Sequence, residues 1–124
     1  MVTTATPPNS LVLLMGPKTG VIPESARGGV VVATASCVAI GTLSPLDGDT
    51  TVSMERRADI SSGFLEARVQ VFYGRILAAS GVLAVCDVYG NELLTSQVPS
   101  GDVLVSVHVS DEQEPDSVII VVEA

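Results

Sequence analysis

The last third of the chain most tightly limits what it can fold into. Short apolar runs alternate there with turn residues: Val82 to Tyr89, Gly90-Asn91, Glu92 to Gln97, Pro99-Ser100-Gly101, Val103 to Val109, an acidic stretch, and Val118 to Val122. Val103, Val105, Val107 and Val109 recur at every second position, which is the period of a strand with one buried face. Val118 to Val122 is apolar at every position and reads as a central strand buried on both faces. Earlier segments repeat the theme: Leu11 to Met15, Val30 to Ala33, Cys37 to Leu43, Thr51 to Glu55, Ala67 to Tyr73, and Ile76 to Ala79 after a break at Gly74-Arg75. Asp47-Gly48-Asp49 predicts a hairpin turn between two of them. Met54 to Phe64 reads as a loop with at most one helical turn.

This pattern predicts an all-β fold, a single-domain antiparallel β-sandwich of about eight or nine strands. Residues 1–9, with Pro7-Pro8 excluding helix, are expected to be a flexible N-terminal arm, and 10–124 the sandwich. Residues 16–28, rich in Gly and Pro, read as a loop or irregular edge.

With 124 residues the chain supports one core. It is 47% hydrophobic, yet holds only two Phe, two Tyr and no Trp, so the core must be aliphatic and β-branched. Few aromatics remain to line a pocket or a sugar platform. Cys37 and Cys86 sit inside apolar strand patterns and read as buried, reduced thiols. The first residues carry no basic stretch before an apolar run, so no signal peptide is expected. The apolar runs fall short of the ~18 residues of a membrane span. A cytoplasmic protein without membrane contact is the expectation.

The net charge of −8, from 14 acids against 6 bases, repels phosphate backbones and argues against direct nucleic-acid binding. It favours a basic protein partner. Asp111-Glu112-Gln113-Glu114-Pro115-Asp116 links two strong strands and reads as a surface loop. The carboxylates of Asp111, Glu112, Glu114 and Asp116 are its candidate partner contacts. Asp87, Glu92 and Asp102 extend that surface if their strands lie alongside. Arg56-Arg57 is expected to pair with Asp59 or Glu55.

Chemistry finds little support in the spacing. His108 is the one histidine and has no triad pattern around it. Cys37, Cys86 and His108 are too scattered for zinc. Asp47-Gly48-Asp49 lacks the other ligands of a calcium loop. Gly16-Pro17-Lys18-Thr19-Gly20 departs from phosphate-loop order, and its proline removes a donor such a cradle needs. The expectation is a protein with no catalytic site, no cofactor and no metal.

From Arg68 onward the order of elements resembles the tail of competence-protein-J-type nuclease inhibitors and related small actinobacterial β-proteins. Val98-Pro99-Ser100-Gly101 corresponds to a turn, Val103 to Val109 to a Val-rich strand, and Ser117-Val118-Ile119-Ile120 to the closing strand after an acid-containing loop. An aromatic often found near the end of such chains is missing here. The resemblance implies a small β-sandwich that binds and blocks a nuclease or toxin, as an inhibitor or immunity protein. Two alternatives stay open: a structural subunit of a homo-oligomer or particle, joined through edge strands, and an enzyme with an unrecognised site.

Overall fold

The computed structural model describes residues 1–17, 20–23 and 30–123. Among the described residues, ten strands form two five-stranded sheets packed face to face. Sheet A has the order β1 (Val2–Ala5), β5 (Thr50–Arg56), β10 (Ser117–Val122), β9 (Gly101–Val109), β6 (Val69–Ala78). Sheet B has the order β3 (Val31–Ala33), β4 (Cys37–Gly41), β2 (Leu11–Met15), β7 (Val82–Cys86), β8 (Glu92–Gln97). The β-sandwich predicted from the strand period is therefore the fold. Among the described residues no helix is long and apolar enough to cross a membrane.

The two-residue period sets which side chains meet between the sheets. Val103, Val105, Val107 and Val109 of β9 face inward with Val118, Ile120 and Val122 of β10 and Val52 and Met54 of β5. Val12 and Leu14 of β2, Val38 and Ile40 of β4, and Leu83 and Val85 of β7 meet them from sheet B. Short β-branched chains in alternation fill such a layer without strained rotamers. β10 lies at the centre of sheet A, as its continuous apolar run requires.

Several expectations change. Residues 1–9 are not a free arm: Val2–Ala5 pairs antiparallel with β5, Val2 opposite Ser53 and Ala5 opposite Thr50. Its alternating Val-Thr-Thr-Ala run suits an edge strand, and the Pro-rich part only begins after it. Gly74 does not break β6, which runs through it as one ten-residue strand with a bulge between Gln70 and Phe72. Asp47-Gly48-Asp49 is not a hairpin turn. β4 belongs to sheet B and β5 to sheet A, so residues 42–49 carry the chain from one sheet to the other. Lys18, Thr19 and residues 24–29 of the expected 16–28 loop lie outside the described residues.

One pairing is parallel. β10 runs alongside β5 in the same direction, Ser117 opposite Thr51 and Val122 opposite Arg56. β9 is antiparallel to β10 and β6 antiparallel to β9, so β5 and β6 also point the same way. Residues 57–68 must then return the full length of the sheet before β6 can start. A crossover of about a dozen residues is what such a connection takes. Its path explains a burial that period alone does not: Ile119, Val121, Ser106 and His108 point away from the core, yet all are buried. The crossover begins as a single 3-10 turn, Arg57–Asp59, and carries half-buried Ile60 and Leu65.

Thr50 opens β5 on the core-facing side, fully buried, and its hydroxyl has no hydrogen-bond partner among the described residues. Such a group costs about 1–3 kcal/mol of desolvation. Thr50→Val keeps the shape and removes the hydroxyl. It should raise stability by about 1 kcal/mol, read as a higher urea midpoint with an unchanged slope; a lower midpoint would show that the hydroxyl is satisfied.

Candidate functional site

The strand directions place each loop at one of two ends. Call upper the end that holds Thr50, Val109 and Ser117. The acidic loop 110–116 joins β9 to β10 there. The Leu43 N–H donates to the Pro115 carbonyl at 2.8 Å, which brings the end of β4 to the same place. β2 starts at this end, since Leu11 pairs with Gly41 and the Thr42 N–H donates to Ser10. β7 runs against β2, with Cys86 opposite Leu13, so Asp87 and the turn that follows continue to the upper end as well.

The upper end therefore collects Asp111, Glu112, Glu114 and Asp116, the turn acids Asp87 and Glu92, and Asp47 and Asp49 on the sheet-crossing connection. All of these but Asp87 are exposed. Among the described residues the basic group that reaches this end is Arg68, half-buried where the crossover joins β6. Arg56 and Arg57 lie at the lower end of β5, and Arg75 stands opposite Leu104 in the lower half of β6. Acids thus outnumber bases at the upper end, while Arg56, Arg57 and Arg75 share the lower end with Glu55, Asp102 and Glu123.

Of the acids expected to form one surface, Asp102 does not join. It lies at the start of β9, opposite Leu77, and the acidic loop follows the other end of that strand. At about 3.3 Å per residue the separation is roughly 23 Å. The strand of Asp102 does lie beside β10, but β9 spans the whole sandwich and Asp102 stands at its far end. Instead Asp102 lines a shallow cleft of about 270 Å³ at the lower end, with Arg75, Pro99 and Glu123.

Asp87 is at the upper end but is turned inward. One carboxylate oxygen accepts the Tyr89 N–H at 2.9 Å and the Asn91 N–H at 3.0 Å, and the other accepts the Asn91 side-chain amide at 2.9 Å. Burial pushes its pKa up, but those bonds outweigh burial and hold it below the usual carboxylate range. Gly90 closes the turn at a φ of 86°, where glycine is unstrained. The result is a rigid turn that presents Tyr89, 75% exposed. Leu46, on the crossing connection, is 94% exposed.

The acidic loop is also ordered from within. Asp111 accepts the Gln113 N–H at 2.7 Å and the Glu114 N–H at 3.2 Å, bonds that lower its pKa. Asp116 accepts the Ser110 hydroxyl at 2.8 Å. Both carboxylates still face solvent, as do Glu112 and Glu114, while Pro115 is buried and pins the loop down.

A second polar cluster lies on the outer face of sheet A, beneath the crossover. Ser106 and His108 are two apart on β9, and the Ser106 Oγ is 2.9 Å from His108 Nε2. The same Oγ donates to Glu123 Oε1 at 3.1 Å. Glu123 receives Arg57 on both oxygens, Nε at 2.8 Å and Nη2 at 2.7 Å. Arg57 thus pairs with Glu123, and not with Glu55 or Asp59 as its neighbours in sequence suggested. A serine beside a histidine invites comparison with a nucleophile and its base. The hydroxyl has a single proton, however, and Glu123 takes it. His108 Nε2 must then be a donor to Ser106 and cannot withdraw the proton that nucleophilic attack requires. Ser106 is also fully buried.

The two thiols are free and buried on the outer face of sheet B, on strands separated by β2. Burial, with Cys86 adding to it, pushes Cys37 up to about 11. Burial likewise raises Cys86, helped by Glu92 and Asp87. A thiol so raised is a poor nucleophile at neutral pH. Among the described residues no three His, Cys, Asp or Glu side chains are grouped to hold a metal ion.

Sequence reasoning missed Asp47, Asp49 and Leu46 at the upper end, and Ser106 and Glu123 as partners of His108 and Arg57. The signal for Ser106 was present, since it shares His108's face at a spacing of two. The rest depend on which strands become neighbours.

Burial lowers the His108 pKa from its usual 6.5, and the Arg57 charge lowers it further, with Glu123 opposing. The unfolded chain then binds the proton more readily than the folded one. Stability is full above pH 6.5 and declines as pH falls through it. His108→Gln, which keeps a donor to Ser106, should flatten this decline between pH 7 and 5. Urea midpoints measured across that range check it; an equal decline in the variant would assign the effect to other groups.

No protein-family model, no curated protein and no solved structure matches this chain, so a functional reading rests on the geometry of its acidic end and its sealed polar relay.

Proposed function

We propose that this chain is a non-catalytic protein-binding module that holds a basic protein partner on its upper end. The observation that carries the reading is the gathering of exposed carboxylates from three separate connections, 42–49, 87–92 and 110–116, at that end. Arg56, Arg57 and Arg75 all lie away from it. A field of this kind raises the encounter rate with a basic surface and sets its orientation. The internally bonded loop adds to this, because carboxylates already fixed lose little freedom on binding. The form of action that fits is occlusion, as in an inhibitor or immunity protein covering the cationic substrate groove of a nuclease or toxin. The resemblance of Val98 to Ile120 to nuclease inhibitors agrees with it.

Neutralising Asp111, Glu112, Glu114 and Asp116 together, as Asn and Gln, should weaken binding and flatten its salt dependence. A tagged chain is exposed to lysate at low and at high salt and the eluates are identified by mass spectrometry. A basic protein retained only at low salt, and lost in the quadruple variant, is expected. Undiminished capture by that variant would remove the loop from the interface.

One feature favours a second reading, a subunit that pairs with its own copies. β6 is a ten-residue edge strand, open but for the Leu77 N–H near its end, which donates to the Ala35 carbonyl at 2.9 Å. Long edges are templates for strand addition. Sedimentation velocity over a range of concentration tests it, with a constant monomer coefficient as the adverse result.

A further inference from the structure

Among the described residues the edge strands are β1, β3, β6 and β8, and β6 alone is both long and lightly guarded. β1 has four residues and β3 three, and β8 carries Glu92, Thr95, Ser96 and Gln97. β6 has ten residues, with Arg75 as its one charge and with Val69, Tyr73 and Leu77 exposed. Brevity, charge and proline are what normally protect an edge. The Leu77 N–H points away from β9, to the Ala35 carbonyl at 2.9 Å. Strand backbone groups turn the same way at every second residue, so Tyr73 and Arg75 also direct theirs past the edge. No group among the described residues meets them there. The bulge between Gln70 and Phe72 interrupts the strand above, and Ala35 takes the next donor below. The free regular stretch is therefore Phe72 to Ile76, with Gly74 at its middle.

We propose that this stretch of β6 pairs with the same stretch of a second copy of the chain, antiparallel about a two-fold axis through Gly74, so that sheet A continues across both copies. The proposal rests on the self-pairing reading and deepens it by fixing the strand, its direction and its register. An axis at the middle of the stretch lets both open residues pair. Tyr73 of one copy exchanges backbone bonds with Arg75 of the other, and Arg75 with Tyr73. An axis at Tyr73 would draw the bulge into the ladder. An axis at Arg75 would set two guanidinium groups opposite each other, which is unfavourable. Gly74 places no side chain where the two backbones come closest. Charge selects the direction: the acid-rich upper ends point opposite ways in an antiparallel pair and would lie side by side in a parallel one. The contact is isologous and uses up this edge in both copies, so it closes at two.

Sedimentation velocity of the intact chain should show a monomer and a dimer whose proportions shift with concentration. Tyr73→Lys sets a lysine opposite Arg75 of the other copy at both symmetric positions. It should weaken dimerisation roughly tenfold, for two like-charged cross-strand pairs. Adding Arg75→Glu to it makes both pairs opposite in charge and should restore the dimer. Tyr73 and Arg75 are exposed, so neither change enters the core, and an unchanged urea midpoint of the dilute monomer checks this. A wild type that stays monomeric at every concentration would overturn the self-pairing reading and this contact together. A dimer that ignores Tyr73→Lys, or that the double variant does not regain, would overturn the β6 contact and leave self-pairing to another surface.

Discussion

The parallel pairing of β5 with β10 governs much of what is unusual here. A sandwich made only of hairpins leaves the outer face of each sheet to solvent. Once β5 and β6 run the same way, residues 57–68 have to recross the sheet. The outer face of β9 and β10 then becomes a second interior. That is why Val121 can be as buried as Val122, and why Ser106, His108 and Glu123 sit where polar groups need internal partners. The relay from His108 through Ser106 and Glu123 to Arg57 answers that need. It ties β9 and the end of β10 to the first residue of the crossover. A histidine kept neutral and donating to a serine hydroxyl is well suited to this structural task. The same arrangement disqualifies it as a base.

The electrostatic consequence of the fold is separate from this. Carboxylates that repel one another would be spread out if solubility were their only role. Here three connections that are distant in sequence bring Asp47, Asp49, Glu92 and the four acids of 110–116 to one end, while Glu55, Asp102 and Glu123 stand at the other. The repulsion is moderate because the groups are hydrated and screened. Asp111 and Asp87 lower it further by taking backbone N–H donors. Those bonds also explain why the acidic segments are ordered rather than frayed, which matters for recognition, since a fixed array of charge is selective where a loose one is only attractive.

Period-two patterning made the sandwich legible, down to the inward row of valines in β9 and the central place of β10. It failed where a local signal had two global solutions. Asp47-Gly48-Asp49 satisfies a turn whether the next strand returns to the same sheet or crosses to the other, and no residue near it distinguishes the two. The alternation of Leu104, Ser106 and His108 states which side chains share a face. It cannot state that a crossover will cover that face. The acidic loop was readable because it lies between two strands that are themselves unambiguous. Asp102 shows that neighbouring strands are not enough, because the whole length of β9 separates it from the acidic loop. Arg57 and Glu123 meet across 66 residues through the parallel register of Arg56 opposite Val122, a pairing that no hairpin logic yields.

The two polar clusters can then be weighed by what each leaves available. In the relay the Ser106 hydroxyl, His108 Nε2 and both Glu123 oxygens are already matched, and the serine is sealed. A ligand could enter only by breaking bonds that hold the crossover down. At the upper end the balance is reversed. Asp87 is satisfied and silent, but the Glu112 and Glu114 carboxylates make no hydrogen bond among the described residues, and the Tyr89 ring is exposed. Exposed groups that are still unsatisfied have interactions left to make with a partner, and the loop backbone that carries the acids is already bonded from within. For that reason the acidic end, and not the buried serine and histidine, is where the function of this chain is to be sought.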